Sequence, residues 1–244
     1  MKTIWITGGS SGIGLAVAEK FLEENWCVVI SSRSVEKINN AVYNLKKNTD
    51  NKNIHGITCD VANYNQVRNT VNEINKNISP INIALLNAAA YSPNKTQDFD
   101  IKNYELLIEV NLRGTLNCID VLKDYMKNKN SHIAIVSSPV GFRGMPTAGA
   151  YGMTKAAMIS MTKTLAHEWG SYNIRVNAIA PGLVDTHFAS AIVDNPRLAK
   201  GYTQRAALSK IGKPEEIAGI VCYLASSDSA FVTGQCMVVD GGYL

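Results

Sequence analysis

The chain has 244 residues, 46% of them hydrophobic and 18% charged, an ordinary globular composition with enough length to bury a substantial core. Its formal net charge of +4 is dispersed and too small for a nucleic-acid footprint, and no apolar run approaches the roughly 18 residues that a membrane span needs. Cys27, Cys59, Cys118, Cys222 and Cys236 are odd in number and include no CxxC pair, so neither a disulfide framework nor a zinc site is predicted, and all five are read as buried thiols.

Met1 leads directly into the first predicted strand, residues 3–7, without a basic leader, an apolar h-region or a small-residue cleavage site, so the protein is expected to stay in the cytoplasm. Six further strands are predicted at residues 27–31, 54–59, 81–86, 132–137, 174–180 and 236–239, with amphipathic helices in most of the intervals. β-rich runs alternating with helical segments are the pattern of repeated βαβ units. They predict an α/β, Rossmann-type fold with one doubly wound, seven-stranded parallel sheet, helices on both faces, and a single domain over residues 1–244. Asparagines crowd residues 39–130, but apolar residues recur among them at helical spacing, which predicts solvated helix faces rather than disorder. Segment 186–211 lies between a Pro-Gly turn and a helix start at Pro214, Glu215 and Glu216, and is expected to form a mobile cover over a site.

The first strand runs into Thr7, Gly8, Gly9, Ser10, Ser11, Gly12, Ile13 and Gly14, and then into a helical pattern. Strand, glycine loop and helix in that order bring backbone close to a pyrophosphate, while the helix N-terminus offers free N–H groups and a partial positive charge. Alone, the same glycines would also serve a tight turn without a ligand. The second strand ends at Ser31, Ser32 and Arg33. No carboxylate stands there to accept from a ribose 2′-hydroxyl, and a guanidinium can pair with a 2′-phosphate, so NADP(H) is favoured over NAD(H). The alternative reading of Arg33 is a solvated loop charge. Ser11 precedes Gly12 where many NADP enzymes have a second basic residue.

Tyr151 and Lys155 lie four apart at the start of a long helical pattern, on one helix face. A tyrosine with an ordinary pKa near 10 is a poor acid–base group at neutral pH, and a neighbouring ammonium is expected to draw it down. Thirteen residues upstream, Ser138 ends a β-rich run, at the strand terminus where open α/β sheets bind ligands, and its hydroxyl is suited to holding a substrate oxygen. Ser137 is expected to be structural. His55, His132, His167 and His187 have no metal-ligand spacing, so no metal is predicted; His187 is read as an exposed loop residue, with substrate contact as the alternative.

Taken together, these residues resemble the short-chain dehydrogenase/reductase family over nearly the whole chain, and its one-domain branch similar to 3-oxoacyl-carrier-protein reductases. The resemblance includes the TGxxxGxG loop of Thr7 to Gly14, Asp60 and Val61, Asn87 with Ala88 and Ala89, Asn111, Ser138, Tyr151, Lys155, Pro181 and Gly182 with Thr186, and the terminal Val239, Asp240, Gly241 and Gly242. It implies a catalytic set of Asn111, Ser138, Tyr151 and Lys155. Tyr151 would be the acid–base group, Ser138 would polarise the same oxygen, Lys155 would also hold the nicotinamide ribose, and Asn111 would kink its helix and position a relay water. Asp60 and Val61 would face the adenine, Asn87, Ala88 and Ala89 the adenosine ribose, and Pro181, Gly182, Val184 and Thr186 the nicotinamide carboxamide. Ala89 departs from the family's glycine and adds a methyl group beside the cofactor.

The function implied is NADP(H)-dependent reduction of a ketone or β-ketoacyl group, on a small-molecule or carrier-bound substrate. The alternatives are an NAD-dependent alcohol or polyol dehydrogenase, and a non-catalytic dinucleotide-sensing protein. Resemblance also implies a homo-oligomer, commonly a tetramer, in which Met158, Met161 and Leu165 either face a symmetry mate or pack on the chain's own sheet. No nucleic-acid or membrane partner is expected.

Overall fold

The computed structural model describes residues 1–93 and 100–244. Seven strands, β1 (Thr3–Thr7), β2 (Cys27–Ser32), β3 (Ile54–Thr58), β4 (Ile83–Leu86), β5 (Ser131–Val136), β6 (Ile174–Pro181) and β7 (Cys236–Val239), form one parallel sheet in the order 3-2-1-4-5-6-7. The helices that connect and flank them are α1 (Gly12–Glu23), α2 (Val35–Asn48), α3 (Tyr64–Glu73), α4 (Ile101–Leu107), α5 (Gly114–Met126), α6 (Gly149–Trp169), α7 (Ser190–Val193), α8 (Pro196–Thr203) and α9 (Pro214–Ala225).

The continuous apolar runs of the central strands exist because helices cover both faces, leaving no side of β1 or β5 in water. Alternation divides the core. Ile4 and Ile6 of β1 join Val17, Phe21 and Leu22 of α1, Leu45 of α2 and Val221 of α9 on one face. Trp5, between them, joins Val67 and Val71 of α3, Leu122 of α5, and Met158, Leu165 and Trp169 of α6 on the other. Met158 and Leu165 therefore pack on the chain's own sheet and are not surface residues awaiting a partner.

Some sequence expectations shift. β4 starts at Ile83 rather than 81, because the Ile81 N–H donates to Asn75 Oδ1 (3.1 Å) and not to a neighbouring strand. Cys27, Cys59 and Cys118 are buried, but Cys222 and Cys236 are only half-buried. Cys236 opens β7, an edge strand with one neighbour, and Cys222 lies near Lys20, Glu23 and Glu24 at the α1–α9 contact. Segment 186–211 contains a 3-10 turn (His187–Ala189), α7 and α8.

The sheet order reverses direction between β1 and β4. Connections leave β1 towards β2 on one side, while β4 returns to pair on the other, opening a crevice at the strands' carboxyl ends. The glycine loop after β1 and the segment after β4 meet there.

Candidate active site

The Thr7 hydroxyl, at the end of β1, accepts from the backbone N–H of Asn87 (3.0 Å) and Ala88 (3.1 Å). Asn87 Nδ2 answers by donating to the carbonyls of Thr7 and Gly8, both at 3.1 Å. The glycine loop is thus fastened to the end of β4. Gly8 and Gly12 hold φ of +66° and +53°, the left-handed region that other residues enter only with strain. Ser10, Ser11 and Ile13 complete the loop, and a Cβ on Gly14 would lie 2.5 Å from the Gly8 carbonyl, so the helix start closes on the loop without room for a side chain. Ser11 is the α1 N-cap but makes no side-chain cap bond, leaving first-turn N–H groups free to face an anion.

At the end of β2, Ser32 is half-buried and Arg33 is exposed, with no ion-pair partner among the described residues. The Asp60 carboxylate accepts from the Ala62 N–H (3.0 Å), and Val61 is buried with its carbonyl accepting from Asn117 Nδ2 (2.9 Å). Ala89 does not take a positive φ, so its added methyl group creates no backbone strain.

Past β6, Pro181 ends the strand, the Gly182 N–H donates to the Val239 carbonyl (3.0 Å), and the Leu183 N–H donates to the Tyr202 hydroxyl (2.9 Å). Val184 is buried and bridges to Gly212. Thr186 then reaches across to the glycine loop, where its Cγ2 lies 3.1 Å from the position of a Cβ on Gly12. The loop after β1 and the turn after β6 therefore close on the same crevice. Free first-turn N–H groups, glycines with no space for a side chain and an unpaired guanidinium at β2 are the donor set a dinucleotide phosphate requires, and the residues present fit one.

Ser138 follows β5 and caps a 3-10 turn. Tyr151 lies in the first turn of α6 and Lys155 one turn further, as their spacing predicts. The Ser138 hydroxyl lies near enough to the Tyr151 phenol to favour its charged form. Lys155 is 1% exposed; its Nζ donates to the Val136 carbonyl (2.8 Å) and lies 5.4 Å from the centre of the Tyr151 ring. Burial lowers the Lys155 pKa to about 7. Burial also raises the Tyr151 phenol above its ordinary value; the Ser138 hydroxyl opposes that and Tyr91 adds to it. The expectation that the ammonium draws the phenol down is not met: burial, and not the neighbouring charge, sets the direction in which each group shifts. Ser137 is buried and donates to the Lys155 carbonyl (2.9 Å), a structural contact.

Asn111 lies in a π turn (Ile108–Arg113) that joins α4 to α5, so the helix is distorted at this residue. Its side chain is fully engaged. Oδ1 accepts from the Ala90 N–H (2.8 Å), while Nδ2 donates to the Ala90 carbonyl (3.0 Å) and to Thr154 Oγ1 (3.2 Å). Thr154 in turn donates to the Tyr151 carbonyl (2.7 Å). The Asn111 carbonyl accepts from the Thr115 hydroxyl (2.7 Å).

Sequence reasoning missed Thr154 and Tyr91, and took Thr7 only as the start of the glycine-loop motif, not as its fastener to the end of β4. Tyr91 packs edge-on against Tyr151 with ring centres 5.1 Å apart, and Phe188 lies 5.9 Å from Tyr91 and 6.4 Å from Tyr151. Tyr91 follows motif residues and Thr7 opens a motif, but their partners are far along the chain, so no local spacing marks those contacts. His187 is exposed beside Phe188. Among the described residues no group of three potential metal-ligating side chains occurs, and no helix is long and apolar enough to cross a membrane. A cavity of about 550 Å³ along the free edge of β3, lined by Tyr43, His55 and Glu73 among others, is remote from these groups.

A doubly wound sheet with a glycine loop at its switch point and a Ser–Tyr–Lys cluster beside it defines a class of dinucleotide-binding oxidoreductases, and comparison with known proteins agrees. A family model described as enoyl-(acyl carrier protein) reductase matches residues 8–244. The short-chain dehydrogenase/reductase SDRA of Arabidopsis thaliana is 33% identical, covering 99% of this chain and 94% of that protein. The 3-oxoacyl-[acyl-carrier-protein] reductase FabG of Thermotoga maritima is also 33% identical, covering 99% and 97% respectively. Among solved structures, a short-chain type dehydrogenase/reductase from Mycobacterium ulcerans superposes with a TM-score of 0.95 at 27% identity, covering 99% of this chain and 89% of that one. The chain belongs to the short-chain dehydrogenase/reductase family, whose members are oxidoreductases that use nicotinamide dinucleotides.

Proposed function

We propose that this protein is an NADP(H)-dependent reductase that converts a ketone or β-ketoacyl group to a secondary alcohol, with residues 1–244 acting as a single dinucleotide-binding and catalytic domain. The observation that carries the reading is the meeting of Ser138, Tyr151 and Lys155 at the carboxyl end of β5, in the crevice that the glycine loop and Thr186 close. When bound, the nicotinamide supplies a hydride to the carbonyl carbon. Ser138 holds the carbonyl oxygen, and Tyr151, kept protonated by its buried setting, donates its phenolic proton to that oxygen. Lys155, with a pKa of about 7, can give up and regain a proton near neutrality beside the phenol. Asn111 acts by positioning, through Ala90 and Thr154.

The same reading assigns Gly8, Ser10, Ser11, Gly12, Ile13 and Gly14 to the pyrophosphate and Ser32 and Arg33 to the 2′-phosphate. Asp60, Val61, Asn87, Ala88 and Ala89 take the adenosine half, and Pro181, Gly182, Val184 and Thr186 the carboxamide. The exposed, unpaired Arg33 supports the phosphorylated cofactor, as does the actinorhodin polyketide ketoreductase, a structural neighbour solved with NADPH. The reductases among the relatives support a carbonyl on a small molecule or an acyl carrier, and the protein is proposed to work in the cytoplasm as a homotetramer.

The test is to titrate NADPH and NADH against purified protein and then follow cofactor absorbance with ketones, β-ketoacyl thioesters and an enoyl thioester. NADPH is expected to bind more tightly. Arg33→Ala is expected to weaken NADPH about 10-fold with little effect on NADH. Tyr151→Phe is expected to keep NADPH binding and lose about 10²- to 10⁴-fold in kcat, the range for an acid–base group. A preference for NADH with alcohol oxidation would favour an alcohol or polyol dehydrogenase, and tight NADPH binding without turnover of any substrate would favour a dinucleotide sensor.

A further inference from the structure

We propose that Tyr91 and Phe188 select the substrate, by forming with Tyr151 an aromatic wall that accepts a flat, apolar ring attached to the reacting carbonyl. The proposal rests on the reading of Tyr151 as the group that meets that carbonyl.

The three rings come from three different parts of the fold: the segment after β4, the 3-10 turn after β6 and the first turn of α6. Their centres lie 5.1, 5.9 and 6.4 Å apart, within the range of edge-on and tilted aromatic contact. Phe188 touches both tyrosines and is nevertheless 48% exposed, so an apolar surface adjoining the Tyr151 phenol faces outward, uncovered by the described residues. A ring attached to a carbonyl held at Ser138 and Tyr151 would find this surface next to it.

Tyr91 is a fixed part of the wall. Asn111 grips both the N–H and the carbonyl of Ala90, the preceding residue, and Thr147 lies near the Tyr91 hydroxyl. Thr147 itself holds φ of +66°, a conformation that a β-branched residue adopts only with strain. Among the described residues the cations near aromatic rings around the site are Lys155 beside Tyr151, and Arg143, which lies over Tyr243 instead. A charged substituent would lose water against Tyr91 and Phe188 without gaining a partner among the described residues, whereas a planar ring gains offset or edge-on contacts.

The experiment measures binding separately from turnover. The full chain is loaded with oxidised dinucleotide, so that no reduction occurs, and the affinities of acetophenone and of 2-butanone are measured by ligand-observed NMR. Acetophenone is expected to bind about 10-fold or more tightly, and Phe188→Ala and Tyr91→Leu are each expected to reduce the ratio of the two affinities by about 10-fold. Phe188 is half-exposed, so its removal leaves the core intact, and Tyr91→Leu keeps an apolar side chain. Equal affinity for the two ketones, or variants that weaken both ketones alike, overturns the proposal. Turnover with NADPH is then read on the same pair. Ring-selective binding that depends on Phe188, without reduction of either ketone, would defeat the reductase reading while leaving the wall's selectivity established.

Discussion

Asn111 is surrounded by its own chain: one amide satisfies both backbone groups of Ala90 and the hydroxyl of Thr154, which passes the contact on to the Tyr151 carbonyl. Thr154 is completely buried, so replacing it by valine leaves one Asn111 amide N–H without its acceptor in a dry setting. Thr154→Val is expected to lose about 1–3 kcal/mol of stability in urea unfolding. Thr154→Ser, which keeps the hydroxyl, is expected to recover most of it. Equal losses in the two variants would show that the methyl group, and not the bridge, is what matters. At this scale the sequence was legible where residues with shared chemistry stand at fixed local spacing. Tyr151 and Lys155 declare themselves one helical turn apart, and Gly8, Gly12 and Gly14 by their order after a strand. Thr154 and Tyr91 do not, because their partners lie across the fold and any hydroxyl or aromatic residue reads the same without those partners. The balance of proton affinities was also illegible, since spacing alone predicts that the ammonium lowers the Tyr151 pKa, whereas packing buries the phenol and raises it.

Paired strands β5 and β6 bury His132, 2% exposed, with its Nε2 3.3 Å from Asn177 Nδ2 and its Nδ1 without a partner. Burial, with the nearby Arg175 guanidinium adding to it, lowers the His132 pKa to about 3. The unfolded chain binds this proton near pH 6.5 and the folded chain does not until near pH 3, so stability is complete above about pH 6.5 and falls as the pH drops below it. The expected loss approaches about 1.4 kcal/mol per pH unit, or about 2 kcal/mol between pH 6.5 and pH 5. Urea midpoints measured at pH 7 and pH 5 check this; the acid sensitivity should shrink in His132→Gln, and an unchanged slope in that variant would assign it to other groups. Elements were the most legible part of the molecule. All seven strands stand within two residues of their predicted ends, because each is a short β-rich run bounded by helical spacing. The π turn at Asn111 was visible only through family resemblance, since its residues have unbroken helical periodicity. In segment 186–211, short helices with mixed composition gave too few turns for a period to emerge.

For the molecule as a whole, α4, α5 and the start of α6 leave Leu106, Leu116 and Met153 exposed, about half of each, on the side of the sheet where Met158 and Leu165 turn inward. These outward residues, not the inward ones, are suited to a symmetric partner. Sedimentation of the unmodified protein is expected to give a homotetramer, and Leu116→Glu to shift it to smaller species; a monomer at every concentration would rule the assembly out. The overall architecture was readable because alternating strands and helices admit few topologies, whereas the pairing of β1 with β4 rather than with β3 joins strands distant in the chain and is marked by no local pattern. That seam joins Thr7 to Asn87 across 80 residues. Closing it requires the largest loss of chain entropy in the first half of the fold, and the same event gives the glycine loop its shape. During refolding, helices that form within microseconds therefore leave the loop still open, and its native form arrives only with the slower zippering of β4 onto β1.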